Sequence, residues 1–190
     1  GNYRYLVDDW GGCDHQEGLG SCFAVLFGLA SPQQAAQVLD TQVITSSGIP
    51  CVWPSFERYR LDENSFGRHS GTVWPHVQGY WAELVARARD EKRFGFELFT
   101  LAGLAARDGM FAEIYHPLTG AIYGGLQEGA PSWRWHSCRR QTWSATGFLR
   151  MILMGLIGMD FSLHGVAFRP LLLEGVTALE LRGLPYRGAT

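Results

Sequence analysis

Apolar positions along this chain recur mostly with helical rather than strand period. From Pro75 onward, Val77, Tyr80, Trp81, Leu84, Val85 and Ala88 fall at three- and four-residue spacing, which predicts an amphipathic helix. The charged stretch 87–93 predicts a turn, and 94–107 a second helix with Phe96, Phe99, Leu101, Leu104 and Ala105 apolar. Together they predict an antiparallel helical hairpin. Upstream, residues 18–30 are small and apolar and suit a buried helix. Ser31-Pro32 then supplies an N-cap and a proline at the first helical position. The helix it opens, Pro32–Thr41, ends before Ser46-Ser47-Gly48. Residues 141–157 are again helical and strongly apolar.

Polar, Gly- and Pro-rich segments separate these helices. Residues 1–16 read as a loop. Residues 48–73 form a long connection through Ile49-Pro50, Trp53-Pro54 and Asp62-Glu63-Asn64-Ser65, and residues 109–140 a second, with Gly120, Gly124-Gly125, Gly129-Ala-Pro131, Trp133 and Trp135. Loops this long in a compact chain are usually functional. The texture changes at Gly158, after which 166–168 and 178–181 read as short strands punctuated by Pro170 and Gly175. The expectation is a mainly α chain, with helical hairpins over 1–158 and a short β-rich segment over 159–190. No sequence repeat accompanies the hairpins.

Composition narrows the chemistry. The chain has 190 residues, 46% hydrophobic and only 18% charged, so it can bury a core. A net charge of −2 leaves no basic footprint for nucleic acid. The longest apolar run, 148–159, contains Arg150 and falls short of the roughly 18–20 residues of a membrane span. Cys13, Cys22, Cys51 and Cys138 have neither CxxC nor zinc spacing, so free thiols are expected, which fits a reducing compartment. His69, His76, His116 and His136 form no HExxH or comparable pair, so neither a metal nor another cofactor is expected. No GxSxG elbow points to a serine nucleophile. Aromatic residues reach 13%, which suits either a large aromatic core or sugar-stacking faces.

Three loops concentrate polar and aromatic side chains beside helix ends. The first is Asp14-His-Gln-Glu17, whose carboxylates bind sugar hydroxyls or else cap the following helix, Asp14 as N-cap with Glu17 as capping-box partner. The second is Phe66-Gly-Arg-His-Ser-Gly-Thr-Val-Trp-Pro75-His76. Here Arg68, His69 and His76 offer donors and Trp74 a face, or else Arg68 and Trp74 serve as loop glue and core. The third is Phe111-Ala-Glu-Ile-Tyr-His-Pro-Leu-Thr-Gly120, continuing to Gln127, Glu128 and Gln141-Thr-Trp143. It sets Glu113 among aromatics, where a carboxylate can be tuned for proton transfer or can satisfy a loop amide. Glu128 is its rival for any carboxylate role.

The second and third loops resemble those of the six-hairpin glycosidases, in particular the trehalase and glycoside hydrolase family 63 group with its glucosidases and mannosylglycerate hydrolases. Phe66–Pro75 is similar to that group's Gly-containing, Trp-ending loop. Glu113-Ile-Tyr-His-Pro-Leu-Thr-Gly120 resembles its Glu-x-Tyr-(Asn/Asp)-Pro-x-Thr-Gly segment, and Gln141-Thr-Trp-Ser-Ala the Trp-Ser/Thr stretch that follows. The resemblance extends from about residue 14 to the end. It implies an (α/α)6 toroid with a β-rich tail, an inverting mechanism with Glu113 as general base, and a carbohydrate pocket drawn from Asp14, Glu17, Arg68, His69, Trp74, His76, Tyr115, Gln127, Glu128 and Trp143. The chain departs from the pattern at Arg68-His69-Ser70-Gly71, where the group commonly has Tyr-Trp-Arg-Gly, and at His116 in place of Asn/Asp. A full toroid needs roughly 12 helices and well over about 300 residues at ordinary element sizes. The resemblance therefore implies a C-terminal part whose general acid and remaining hairpins lie upstream, leaving the isolated piece inactive. Two rivals accompany this reading. A phosphorylase or epimerase could use the same barrel, though a phosphorylase binds phosphate where the base would stand. A non-enzymatic sugar-binding or scaffold module is the other.

Overall fold

The computed structural model describes residues 3–9, 11–127 and 134–186. It is mainly α, with α1 (Gly18–Leu26), α2 (Pro32–Thr41), α3 (Pro75–Arg87), α4 (Glu91–Asp108) and α5 (Thr142–Arg150). α5 continues through a π-helical stretch, Met151–Leu156, closed by a bond from the Ile157 N–H to the Ile152 carbonyl. Three antiparallel strand pairs accompany the helices: β1 (Leu6–Asp8) with β2 (Gly11–Cys13), β3 (Gln16–Glu17) with β4 (Val52–Trp53), and β5 (Met159–Ser162) with β6 (Gly165–Phe168). Glu17 stands opposite Val52, and Met159 opposite Phe168. Among the described residues no helix is long and apolar enough to cross a membrane.

Local chemistry accounts for most boundaries. α2 has the bounds expected from Ser31-Pro32, and Ser31 and Gln34 close a reciprocal capping box. α3 starts at Pro75 as expected. α4 starts at Glu91, earlier than its apolar pattern indicates, because Asp90 caps it by accepting from the Arg93 N–H. Gly109, in the left-handed region, ends it. The cap of α1 differs from the expectation. Glu17 itself is the N-cap, accepting from the Leu19 and Gly20 amides. Asp14 instead pairs on the surface with Arg4.

Other expectations need correction. α1 ends at Leu26, and along it Gly18, Ser21 and Cys22 are the buried positions. Phe27 and Leu29, within the expected helix, lie beyond its end and are exposed. α4 buries Phe94, Gly95, Glu97, Leu98 and Leu101, while Phe96 and Phe99 face outward. This helix carries two apolar stripes at helical spacing, and the one that packs inward takes Glu97 with it. The segment expected as a loop at the start of the chain holds the antiparallel pair of β1 and β2. Residues 178–181 form no strand, so the strand pair after Gly158 among the described residues is the β5–β6 hairpin. Past it the chain folds back on the helical layer, through bonds from the Arg169 N–H to the Gly158 carbonyl and from the Leu171 N–H to the Leu156 carbonyl. Leu171 and Leu173 join the same hydrophobic core as Trp81, Phe94 and Met151.

α3 is the axis of the molecule. It packs between α1 and α5, with α4 returning antiparallel beside it. Gly18 of α1 abuts Val77, and Phe23 meets the Tyr80 ring edge-on at 4.8 Å. On the other side Gly147 lies against Pro75 and His76, and Arg150 stands beside Glu83. In both comparisons the residue numbers rise together, so α1, α3 and α5 run parallel and their N-termini lie at one end. Gly79 and Gly147 permit the close crossing: a Cβ on Gly79 would sit 2.6 Å from the Gly147 carbonyl oxygen. α3 is buried on nearly all sides and carries Glu83 inside. There Arg87 Nη2 approaches Oε1 at 2.7 Å. Arg150 Nε lies 2.6 Å from Oε2, as an ion pair without hydrogen-bond alignment.

Candidate active site

The loops at the N-terminal ends of the parallel helices are laced together by short backbone ladders. Val73, just before α3, exchanges both of its hydrogen bonds with Tyr115 and also bridges Pro50, while Tyr115 bridges Ile122. Arg68 N–H donates to the Leu126 carbonyl, and Leu126 N–H to the Phe66 carbonyl. Trp135 N–H donates to the Gly125 carbonyl, which adds residues 134–141 to the edge of this assembly. The first loop joins through Glu17 opposite Val52 and Val52 beside Ser70. Loops distant in sequence thus converge on one end of the helical layer.

Glu113 lies within this assembly, 6% exposed. Its carboxylate is held from two sides. Arg68 Nη2 donates to Oε1 at 2.8 Å, and the Cys138 N–H donates to Oε2 at 3.1 Å. The Glu113 N–H in turn donates to the Cys138 carbonyl at 2.8 Å. The Arg68 guanidinium lies 5.3 Å from the Trp74 ring centroid and 5.0 Å from that of Trp135, a cation–π arrangement on two faces. The Arg68 carbonyl accepts from the Trp74 indole N–H and from the Thr72 hydroxyl. Both ends of Arg68 are therefore fixed, and with them the rotamer of Glu113.

An aromatic cluster adjoins the pair. His69 stacks on Trp74 at 4.6 Å and 11°. Trp74 contacts His76 edge-on at 5.6 Å, and both contact Trp143, which keeps nearly half of its surface exposed. Burial pushes the His69 imidazole below its ordinary range, with the Arg68 charge acting in the same direction. Burial, then His69, lowers His76. Both rings are thus neutral at pH 7, each with one donor and one acceptor nitrogen, and His76 Nδ1 is buried without a partner among the described residues.

A cleft of about 270 Å³ opens beside Arg68 and His69, with Tyr5, Phe56, Tyr59 and Gln127 on its walls. It is slightly smaller than the roughly 300–1,000 Å³ typical of drug-sized ligand sites, so its size suits a compact ligand. Glu113 is set behind Arg68 rather than on the cleft wall. Among the described residues no group of three or more His, Cys, Asp or Glu side chains is arranged to hold a metal ion.

Of the residues singled out from sequence, Glu113, Arg68, His69, Trp74, His76 and Trp143 form one cluster, and Gln127 lines the adjoining cleft. Tyr115 is fully buried beneath it, its hydroxyl accepting from the Ala112 N–H. Glu17 is occupied as the α1 cap, and burial raises its carboxyl above the ordinary range despite the amides it accepts from. Asp14 lies apart, on the surface. Glu128 and Trp133 lie outside the described residues. His116 acts as a turn residue. Its Nδ1 accepts from the Leu118 and Thr119 amides, as an Asn or Asp oxygen does in such a turn, and its Nε2 bonds the Asn64 carbonyl.

The sequence offers Arg68 as a sugar donor or as loop glue, and neither its pairing with Glu113 nor the parts played by Ser137 and the Cys138 backbone show in the pattern of residues. A backbone donor leaves no mark in sequence, but an Arg between two tryptophans in space is a signal that ring-rich loops hint at. Comparison with known proteins finds no family model that matches the chain and no curated protein that matches it.

Proposed function

We propose that this chain belongs to an inverting glycoside hydrolase in which Glu113 is the general base. The observation that carries the reading is the clamped carboxylate of Glu113, gripped by Arg68 and the Cys138 amide beside an aromatic cluster, with a small cleft of mixed aromatic and polar lining adjoining Arg68. Each carboxylate oxygen has one donor among the described residues, and a carboxylate oxygen has two lone pairs, which leaves room for a water molecule. In the proposed step that water attacks the anomeric carbon from the face opposite the leaving group. Glu113 takes its proton as the new C–O bond forms. The bond to the leaving oxygen breaks, and a carboxylic acid roughly 6.5–9.5 Å away protonates that oxygen. Trp143 offers an exposed face for the sugar's C–H surface, backed by the buried Trp74, while His69, His76 and Gln127 offer hydroxyl partners.

The three parallel helices, with α2 and α4 as returning helices, support placing them in a toroid of hairpins, with the site at the N-terminal ends of the inner set. The first-formed anomer tests the reaction class. Full-length protein is mixed with α- and β-glucosyl and mannosyl fluorides, and the product is followed by proton NMR before mutarotation. Release of the inverted anomer is expected. Retention of configuration, or phosphate-dependent formation of a sugar 1-phosphate, would overturn the proposal.

A further inference from the structure

Residues 134–141 run along the Glu113 segment as a strap. Among the described residues, four hydrogen bonds of 3.1 Å or shorter join the two: Glu113 N–H to the Cys138 carbonyl, Cys138 N–H to Glu113 Oε2, Gln141 N–H to the Phe111 carbonyl at 2.9 Å, and Ile114 N–H to Ser137 Oγ at 3.0 Å. Three of these use backbone donors and acceptors on one side or both and are indifferent to the strap's side chains at 137 and 138. The fourth depends on one hydroxyl. Ser137 Oγ takes the place of a backbone carbonyl in the ladder, and lies 3.4 Å from the Ile114 carbonyl as well.

We infer that Ser137 is a positioning residue for Glu113: its hydroxyl sets the register in which the Cys138 amide meets the carboxylate. The geometry gives the reason. Ile114 immediately follows Glu113, and Ser137 immediately precedes Cys138, so the hydroxyl bond and the carboxylate bond are adjacent rungs. Loss of the hydroxyl leaves the Ile114 N–H without its acceptor in a part-buried place, and such a donor seeks another partner. The nearest remedy is a slide of the strap, which draws the Cys138 N–H off Oε2. Glu113 then keeps Arg68 as its side-chain partner, and swings toward the guanidinium. A displacement of about 1 Å in a catalytic group can cost on the order of a hundredfold in rate. The inference rests on the reading of Glu113 as a general base, and it concerns aim rather than sugar binding.

The test compares Ser137→Ala, Ser137→Cys and Ser137→Thr with Glu113→Gln, all in the full-length protein. Fluoride release from glucosyl and mannosyl fluorides is measured, because fluoride departs with little acid assistance and the assay therefore reads the base. Ser137→Ala and Ser137→Cys should lower kcat by about ten- to a hundredfold with KM within about twofold. Ser137→Thr, which keeps the hydroxyl, should restore most of the rate. Amide hydrogen exchange at Ile114 and Cys138 should quicken in the Ala and Cys variants and return in Thr. Cys is near Ser in size but a poor acceptor, so it separates loss of the bond from loss of volume if the Ala variant folds badly. Wild-type kcat in both Ala and Cys, beside an inactive Glu113→Gln, overturns this inference alone. An active Glu113→Gln, or a wild type that releases no fluoride, overturns the base assignment and this inference with it.

Discussion

Glu97 offers the clearest energetic test of the fold. It is fully buried on α4, facing Gly48, Gln78 and Trp81, and among the described residues no donor meets either carboxylate oxygen in good hydrogen-bond alignment. The Gln78 amide, the Ile49 N–H and the Trp81 indole favour its charged form, but burial outweighs them and pushes the carboxyl from its ordinary 4.5 up to about 8. In the folded protein Glu97 is therefore protonated at pH 7, whereas in the unfolded chain it is ionised. The folded state binds the extra proton, so stability from this group is full below pH 4.5 and falls as pH rises to about 8. Each pH unit across that window costs about 1.4 kcal/mol, an upper bound of roughly 5 kcal/mol in all. Glu97→Gln keeps the shape and abolishes the titration. Urea unfolding followed by tryptophan fluorescence at pH 5, 6, 7 and 8 should find the two proteins close in stability at pH 5. The Gln variant should become progressively more stable than wild type toward pH 8, by roughly 3–5 kcal/mol. Other titrating groups cancel in the difference. A difference that is flat with pH, or that favours wild type at pH 8, refutes the buried protonated carboxyl.

Two further outcomes probe other parts of the structure. Gly147→Ala places a Cβ 2.4 Å from the Pro75 carbonyl oxygen, a backbone clash that no rotamer relieves, and should cost about 2–3 kcal/mol in chemical denaturation; a loss under about 0.5 kcal/mol would contradict the α3–α5 crossing. In native protein treated with an aromatic disulfide reagent and mapped by mass spectrometry, exposed Cys138 should react first. Cys22, buried with its thiol pushed well above the ordinary range, and Cys51, pushed up to about 12 mainly by burial, should react only on unfolding. Early labelling of Cys22 would contradict the α1–α3 packing.

The helices were legible because their signals are local. Ser31-Pro32, Pro75 and the apolar spacing after it act within a turn or two of chain, and α2 and α3 begin where those residues place them. The inward face of α4 was not legible, since Phe94, Leu98 and Leu101 compete with Phe96 and Phe99 at the same spacing, and only the position of α3 decides between them. The buried acids Glu83 and Glu97 were hidden for a related reason. Their environment is a helix crossing, and a carboxylate in sequence reads as solvated until its neighbours are known. At the candidate site the residue types of the loops pointed to Glu113, Arg68, Trp74 and Trp143. The bond between Arg68 and Glu113 spans 45 positions of sequence, and the Cys138 clamp uses a backbone amide. Neither leaves a pattern that spacing can register. The strand expected over 178–181 does not form, because strands need partners and among the described residues that segment pairs with none.

The most direct test of the central claim is fluoride release by Glu113→Gln in the full-length protein, measured beside wild type on the glycosyl fluoride that wild type turns over. Gln keeps the size of Glu113 and an oxygen for Arg68 but cannot take a proton from water. The rate should fall by about 10²–10⁴-fold, the usual contribution of a general base, with KM and thermal stability near those of wild type. A wild-type rate in that variant would show that Glu113 is not the base.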